Sequence, residues 1–153
     1  MRIAIGSDHA GFTLKTELVQ WLEAQGLSYR DVGAACFDAA DDYPDYAVAV
    51  GNAVTGGEAD LGIMVCGTGV GSAIALNKLP GIRAVVCSDT FSARFSRQHN
   101  NVNVLCLGER VVGGGLATEL VRAWLEASFS GERRHQRRLD KVTALERRER
   151  DGK

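Results

Sequence analysis

Proline is nearly absent from this 153-residue chain, with 2 residues against 18 glycines. The glycines cluster between elements rather than recurring at a fixed period. Such clusters point to tight strand-to-helix turns where bare backbone can approach a ligand. Histidine is also scarce, with 3 residues, and the 4 cysteines contain no CxxC pair. Neither a zinc site nor a disulfide framework is therefore indicated. No apolar run approaches the ~18–20 residues that span a bilayer. The N-terminal stretch reaches Asp8 too early for the apolar region of a secretory signal. No membrane partner is expected, and a cytoplasmic address follows.

What remains is the composition of one folded unit. Apolar residues make up 45% and charged residues 24%, a globular mix at a length suited to a single domain over residues 1–153. The net charge of −1 is unevenly divided. Residues 1–131 hold 9 basic against 14 acidic residues, whereas 132–150 hold 8 against 4. The acidic body repels nucleic acid, so no nucleic-acid partner is expected. The basic segment 131–150 reads as a C-terminal helix, suited to a solvated face or to an anion.

Short apolar runs alternate with helical periods. Strands are predicted at Arg2–Gly6, Ser28–Val32, Leu61–Cys66, Arg83–Cys87 and Val102–Leu107. Helices are predicted at Phe12–Gln25, at Asp45–Thr55, from Gly71 to about Asn77, at Thr90–Gln98 and after Gly113-Gly114-Gly115. Leu14, Leu18, Trp21 and Leu22 form the inward stripe of the first helix. Leu116, Leu120, Val121, Trp124 and Leu125 form that of the fifth. Leu139, Val142 and Leu145 form an apolar seam on the basic helix. Strand–helix alternation implies an α/β fold, a three-layer α/β/α sandwich around a five-stranded parallel sheet of Rossmann-like type. Ligands of such sheets bind beyond the carboxyl ends of the strands.

The segment Cys66-Gly67-Thr68-Gly69-Val70-Gly71-Ser72 carries the strongest chemical signal. A cysteine at a strand end, followed by a glycine turn and a helix start, faces free backbone N–H groups. These donors favour an anion, and such surroundings favour a thiolate. Gly67-x-Gly69, with Asp89 at the next strand end, partly matches a dinucleotide turn, but Ser72 replaces its third glycine. Ser72 also stands where a cysteine phosphatase needs an arginine. The remaining reading is a thiolate base beside an amide cradle, the pair that proton abstraction next to a carbonyl requires. His9 and His99 are expected at one edge of the sheet. On the basic helix, Arg134 and Arg138 share a face, as do Arg133 and Arg137 one residue out of phase. Either pair suits a phosphate.

Several segments together resemble type B ribose-5-phosphate isomerases and the related galactose- and allose-6-phosphate isomerases. They are Gly6-Ser7-Asp8-His9-Ala10-Gly11-Phe12, Asp42-Tyr43-Pro44-Asp45-Tyr46-Ala47, Cys66–Gly71, Asn77-Lys78, Gly81-Ile82-Arg83-Ala84, Ser96–Asn100 and Arg134–Arg138. The resemblance covers nearly the whole chain in order. It implies an aldose–ketose isomerase of a phosphorylated sugar, needing no cofactor and no metal. Cys66 would be the base, His99 would open the furanose ring, and Thr68 would hydrogen-bond near O1 and O2. The amides of Gly67, Gly69, Val70 and Gly71 would hold the enediolate. Asp8 would bind hydroxyls, Tyr43 would line the site and Asn100 would contact substrate. His9, Arg110, Arg134 and Arg138 would surround the phosphate, the last two keeping the family's Arg-His-x-x-Arg phase. The resemblance also implies a homodimer or a pair of dimers, with Cys66 and His99 of one site coming from different subunits. A terminal helix with an apolar seam, which needs a surface to pack on, agrees with this. Ribose 5-phosphate is the expected substrate; the alternatives are an isomerase of allose 6-phosphate, galactose 6-phosphate or a tetrose phosphate, and a sugar-phosphate-binding regulator without turnover, which would have no use for a base at Cys66.

Overall fold

Alternation within the strands decides which face of the sheet each side chain serves. Ile3, Ile5, Ile63, Val65, Leu105 and Leu107 point to one face, where they meet Leu14, Leu18, Leu22, Leu120, Val121 and Trp124. Ala4, Met64, Val104 and Cys106 point to the other, against Ala47, Val50, Ala53, Ala73 and Leu76. Burial on both faces is the mark of a fully covered parallel sheet. The computed structural model describes residues 1–150, with side chains to residue 147. Its strands are β1 (Arg2–Ser7), β2 (Ser28–Asp31), β3 (Leu61–Cys66), β4 (Ala84–Val86) and β5 (Val104–Gly108). They pair in parallel in the order β2-β1-β3-β5-β4.

A short 3-10 turn, His9–Gly11, leads into α1 (Phe12–Ala24); the other helices are α2 (Tyr43–Thr55), α3 (Val70–Leu76), α4 (Thr90–Asn100), α5 (Gly114–Leu125) and α6 (Arg133–Arg150). α1, α4 and α5 cover one face, and α2 and α3 the other. The three-layer α/β/α sandwich with a five-stranded parallel sheet is therefore the fold, with α6 as the basic C-terminal helix.

Boundaries shift where local chemistry outweighs apolar pattern. α2 begins at Tyr43, two residues before the expected start, because Pro44 fits the first turn of a helix, where no N–H is needed. β4 shrinks to three residues, as Asn103 ties the backbone of Arg83 by a side-chain acceptor instead of a ladder. Leu116 is 43% exposed rather than inward, since the buried stripe of α5 runs through Ala117, Leu120, Val121 and Trp124. Val142 and Leu145 on α6 are 54% and 61% exposed. Their seam is unburied in the single chain.

Two backbone contacts without intervening side chains hold the carboxyl edge together. A Cβ on Gly11 would lie 2.5 Å from the Val65 carbonyl and 2.8 Å from the Cys66 nitrogen, and one on Gly108 would lie 2.6 Å from the Thr68 backbone. Gly11→Ala is thus expected to destabilise the fold by about 1–3 kcal/mol through overpacking against backbone that has nowhere to move. Gly115→Ala, whose Cβ meets nothing within 4 Å, is expected to be neutral or stabilising by up to ~1 kcal/mol. Urea unfolding of the two variants checks the contrast. Equal stabilities would contradict it.

Candidate active site

Cys66 ends β3, buried, with its Sγ accepting the N–H of Gly69 at 3.1 Å. Gly69 presents that donor with φ at +81°, a left-handed conformation that side chains disfavour. The chain thereby folds back over the sulfur and turns into α3, so Gly67 to Gly71 form a collar of backbone around the thiol. Thr68 and Val70 lie on the exposed rim, the Thr68 Oγ1 accepting the Val70 N–H at 3.3 Å. The Tyr43 ring covers Gly71 so closely that a Cβ there would sit 2.7 Å from it. The Arg110 guanidinium similarly lies over Gly67, 3.2 Å from where a Cβ would be. A small, tyrosine-walled and arginine-roofed recess with a thiol at its base results.

The β1 turn supplies the acidic and imidazole groups. Asp8 is buried, and its Oδ1 accepts the N–H of Gly11 at 3.1 Å. Burial raises its carboxyl above the ordinary value, against the pull of that hydrogen bond and of His9. The Nδ1 of His9 lies 2.6 Å from Asp41 Oδ1, and that oxygen also accepts the His9 backbone N–H at 3.0 Å. This hydrogen bond to Asp41 raises the His9 imidazole above its usual value, while Arg110 acts in the opposite sense. The ligand atoms of Asp8, His9 and Asp41 all lie within 4.8 Å of one another, close enough to offer a cation three ligands. A cation there would have to displace the short His9–Asp41 hydrogen bond.

The remaining expected residues gather elsewhere. His99 stacks between Phe95 at 4.7 Å and His135 at 4.2 Å, near the end of α4. His135 is buried, with Nδ1 2.7 Å from Ser130 Oγ. Burial pushes His135 below its usual value, and the charges of Arg134 and Arg138 push the same way. Arg134 is held by Glu132 at 2.7 Å, and Asn100 is exposed beside His99.

This corrects one expectation: His9 and His99 do not share a sheet edge. α4 starts at Asp89, beyond the carboxyl end of β4, and its eleven residues carry it roughly 16 Å back toward the amino ends. There Arg83, at the entry to β4, donates from Nε to the Asn101 carbonyl at 2.7 Å. Among the described residues, no hydrogen bond or ring contact joins the Cys66 group to the His99 group within the chain.

Other residues find structural roles. Asp89, considered as a ribose ligand, instead caps α4 by accepting the Ser92 N–H at 2.7 Å. Cys87 and Cys106 are buried core residues, as expected, and burial pushes the Cys87 thiol up to about 11. Three contributors escaped the sequence reading. Asp41 stood among several aspartates of one loop, with no spacing to single it out. Lys15 is buried, donating to Asp31 at 2.6 Å and to the Ala34 carbonyl at 2.7 Å, which fastens the start of that loop. Glu109 accepts the Leu14 N–H at 2.9 Å, locking the Arg110 turn onto the start of α1. A charged residue at a helix position flanked by apolar neighbours was the only sign of Lys15.

The chain resembles known proteins in sequence and in fold. Residues 3–142 match the family model described as Ribose/Galactose Isomerase. Ribose-5-phosphate isomerase B of Escherichia coli is 53% identical over 147 residues, covering 96% of this chain and 97% of that protein. D-erythrulose-4-phosphate isomerase 2 of Mycolicibacterium smegmatis is 44% identical over 148 residues, covering 95% and 97%. The solved structure of ribose-5-phosphate isomerase B from Clostridium thermocellum superposes with a TM-score of 0.93 at 48% identity, covering 97% of this chain and 99% of that one. Agreement this extensive, in sequence and in fold, goes beyond shared architecture: the chain is an enzyme belonging to the ribose/galactose isomerase family.

Proposed function

We propose that the protein interconverts D-ribose 5-phosphate and D-ribulose 5-phosphate through an enediolate, with Cys66 as the base. The observation that carries this reading is the Cys66 sulfur accepting the Gly69 amide within the glycine turn that leads into α3. A thiolate there takes the C2 proton of the open-chain aldose and returns it to C1, while the O2 proton passes to O1. Negative charge builds on O1 and O2 as the proton leaves. Preorganised amides of Gly67 to Gly71, with Thr68 at the rim, stabilise it without a metal. Asp8 holds sugar hydroxyls and Tyr43 walls the recess.

Ring opening needs a proton donor and acceptor at the furanose oxygen, and His99 fills that role from the partner subunit. The opposite placement of His99 and Cys66 in one chain supports this division. So does the unburied Val142–Leu145 seam of α6, which a second copy would cover. Each phosphate then lies between His9 and Arg110 of one subunit and Arg134 and Arg138 of the other. A tetrose phosphate is the second reading, favoured by the 44% identity to D-erythrulose-4-phosphate isomerase 2.

Coupled assays across tetrose, pentose and hexose phosphates are expected to give the highest kcat/KM with ribose 5-phosphate. A tetrose maximum would select the second reading. In the same assay Cys66→Ala should lose ~10²–10⁴-fold in kcat with an unchanged melting curve. Near-normal turnover would remove Cys66 as the base.

Arg134→Ala and Arg138→Ala should chiefly raise KM, each by the loss of a charge-assisted hydrogen bond of about 1.5–3 kcal/mol. Larger effects from Arg133→Ala and Arg137→Ala would place the other face of α6 toward the phosphate.

Co-expression tests the shared site. Cys66→Ala and His99→Ala, each inactive alone, should together recover about a quarter of wild-type activity. Half of statistically mixed molecules are heterodimers, and each of those has one intact site, by the symmetry of a two-site dimer. No recovery in isolated heterodimers would put both residues to work within one chain.

A further inference from the structure

His9 has two ring nitrogens, and only one is open to a ligand. Nδ1 lies 2.6 Å from Asp41 Oδ1, and the same oxygen accepts the His9 backbone N–H at 3.0 Å. The Phe37 ring stands edge-on to the imidazole at 5.9 Å, which limits its rotation. Asp41 is well placed to set the ring, since its side chain is only 8% exposed. With Nδ1–H given to Asp41, a neutral imidazole presents a bare lone pair at Nε2. That lone pair repels a phosphate oxygen. Only the imidazolium presents an N–H there.

We propose that Asp41 is a positioning residue for the phosphate end of the substrate: by accepting both N–H groups of His9 on one oxygen, it fixes the imidazole as an Nε2–H donor to a sugar-phosphate oxygen. The inference rests on the reading of His9 as a phosphate ligand. The charged groups facing His9 are Asp8 from the end of β1, Asp41 from the β2–α2 loop and Arg110 from the β5–α5 turn. Asp41 gives the largest push toward the imidazolium, Asp8 adds to it, and Arg110 opposes both. Burial disfavours the Asp41 carboxylate, but the two His9 donors and the Tyr46 hydroxyl outweigh it and hold the acid below its ordinary value. Both shifts favour the ionic pair, in which the ring's free Nε2–H is turned to the ligand.

Asp41→Asn keeps an acceptor of the same shape and removes the charge, so it separates orientation from protonation. Kinetics with ribose 5-phosphate from pH 6 to 9 provide the test, in wild type, Asp41→Asn, His9→Asn and the double variant. The ratio of variant to wild-type KM cancels the substrate's own phosphate titration near pH 6. For Asp41→Asn this ratio should stay within about twofold at pH 6 and reach about tenfold at pH 8, with kcat within about twofold. His9→Asn should raise KM across the range, and the double variant should be no worse. A ratio for Asp41→Asn that does not change with pH, while His9→Asn raises KM, overturns the role of Asp41 and leaves the phosphate reading standing. Wild-type KM in His9→Asn overturns both. If Asp41→Asn does not fold, the His9 ring-proton shift of the wild type is titrated by NMR. A midpoint above the ordinary histidine value of about 6.5 is expected, and one at or below it overturns the proposal.

Discussion

Everything at the carboxyl edge depends on backbone lying directly against backbone beside Cys66. Gly11 meets the Val65–Cys66 peptide, and Gly108 meets Thr68, at distances that leave no room for a side chain. These contacts draw three loops onto the end of β3: the turn after β1 with Asp8 and His9, the collar of Gly67 to Gly71, and the turn after β5 with Arg110. Bare glycines thus do for this site what large side chains do for the core. They bring donors, charges and the thiol within reach of one small ligand.

The site's electrostatics follow from that crowding. Closely packed loops bury carboxylates, and a buried carboxylate needs a partner or a proton. Asp41 takes His9 as a hydrogen-bonded partner and is lowered, whereas Asp8, helped only by backbone N–H groups and the more distant charge of His9, is raised by burial. Two aspartates in one cluster thereby acquire different characters. Lys15 and Glu109 do quieter work, tying the flanking loops to α1 through charged contacts that a loop's own backbone would not supply. Burial among apolar neighbours raises the Cys87 and Cys106 thiols, and the sulfur of Cys66 accepts the Gly69 N–H.

A parallel sheet with antiparallel return helices has an unavoidable geometric consequence. A residue that ends a strand and a residue that ends the following helix sit at opposite edges. His99 and Asn100 close α4 and Cys66 closes β3, so one chain carries the proposed base and the proposed ring-opening histidine on two sides. The basic start of α6 accompanies His99, and its apolar seam remains uncovered. In the proposed assembly, the same helix supplies both the surface that joins two copies and the arginines that reach the neighbour's phosphate.

The sequence by itself determined the layer architecture, because doubly buried strands read as short continuous apolar runs and amphipathic helices as a period of 3.6. It also determined the cysteine–glycine turn, because strand, thiol, turn and helix are consecutive in the chain. Local contacts survive as local spacing. Tertiary structure alone decided what depends on distant segments: the strand order, the choice of Asp41 among the loop aspartates, the burial of Lys15 and the separation of His9 from His99. Each of these is a matter of direction in space between residues tens of positions apart. Periodicity along one chain carries no record of direction.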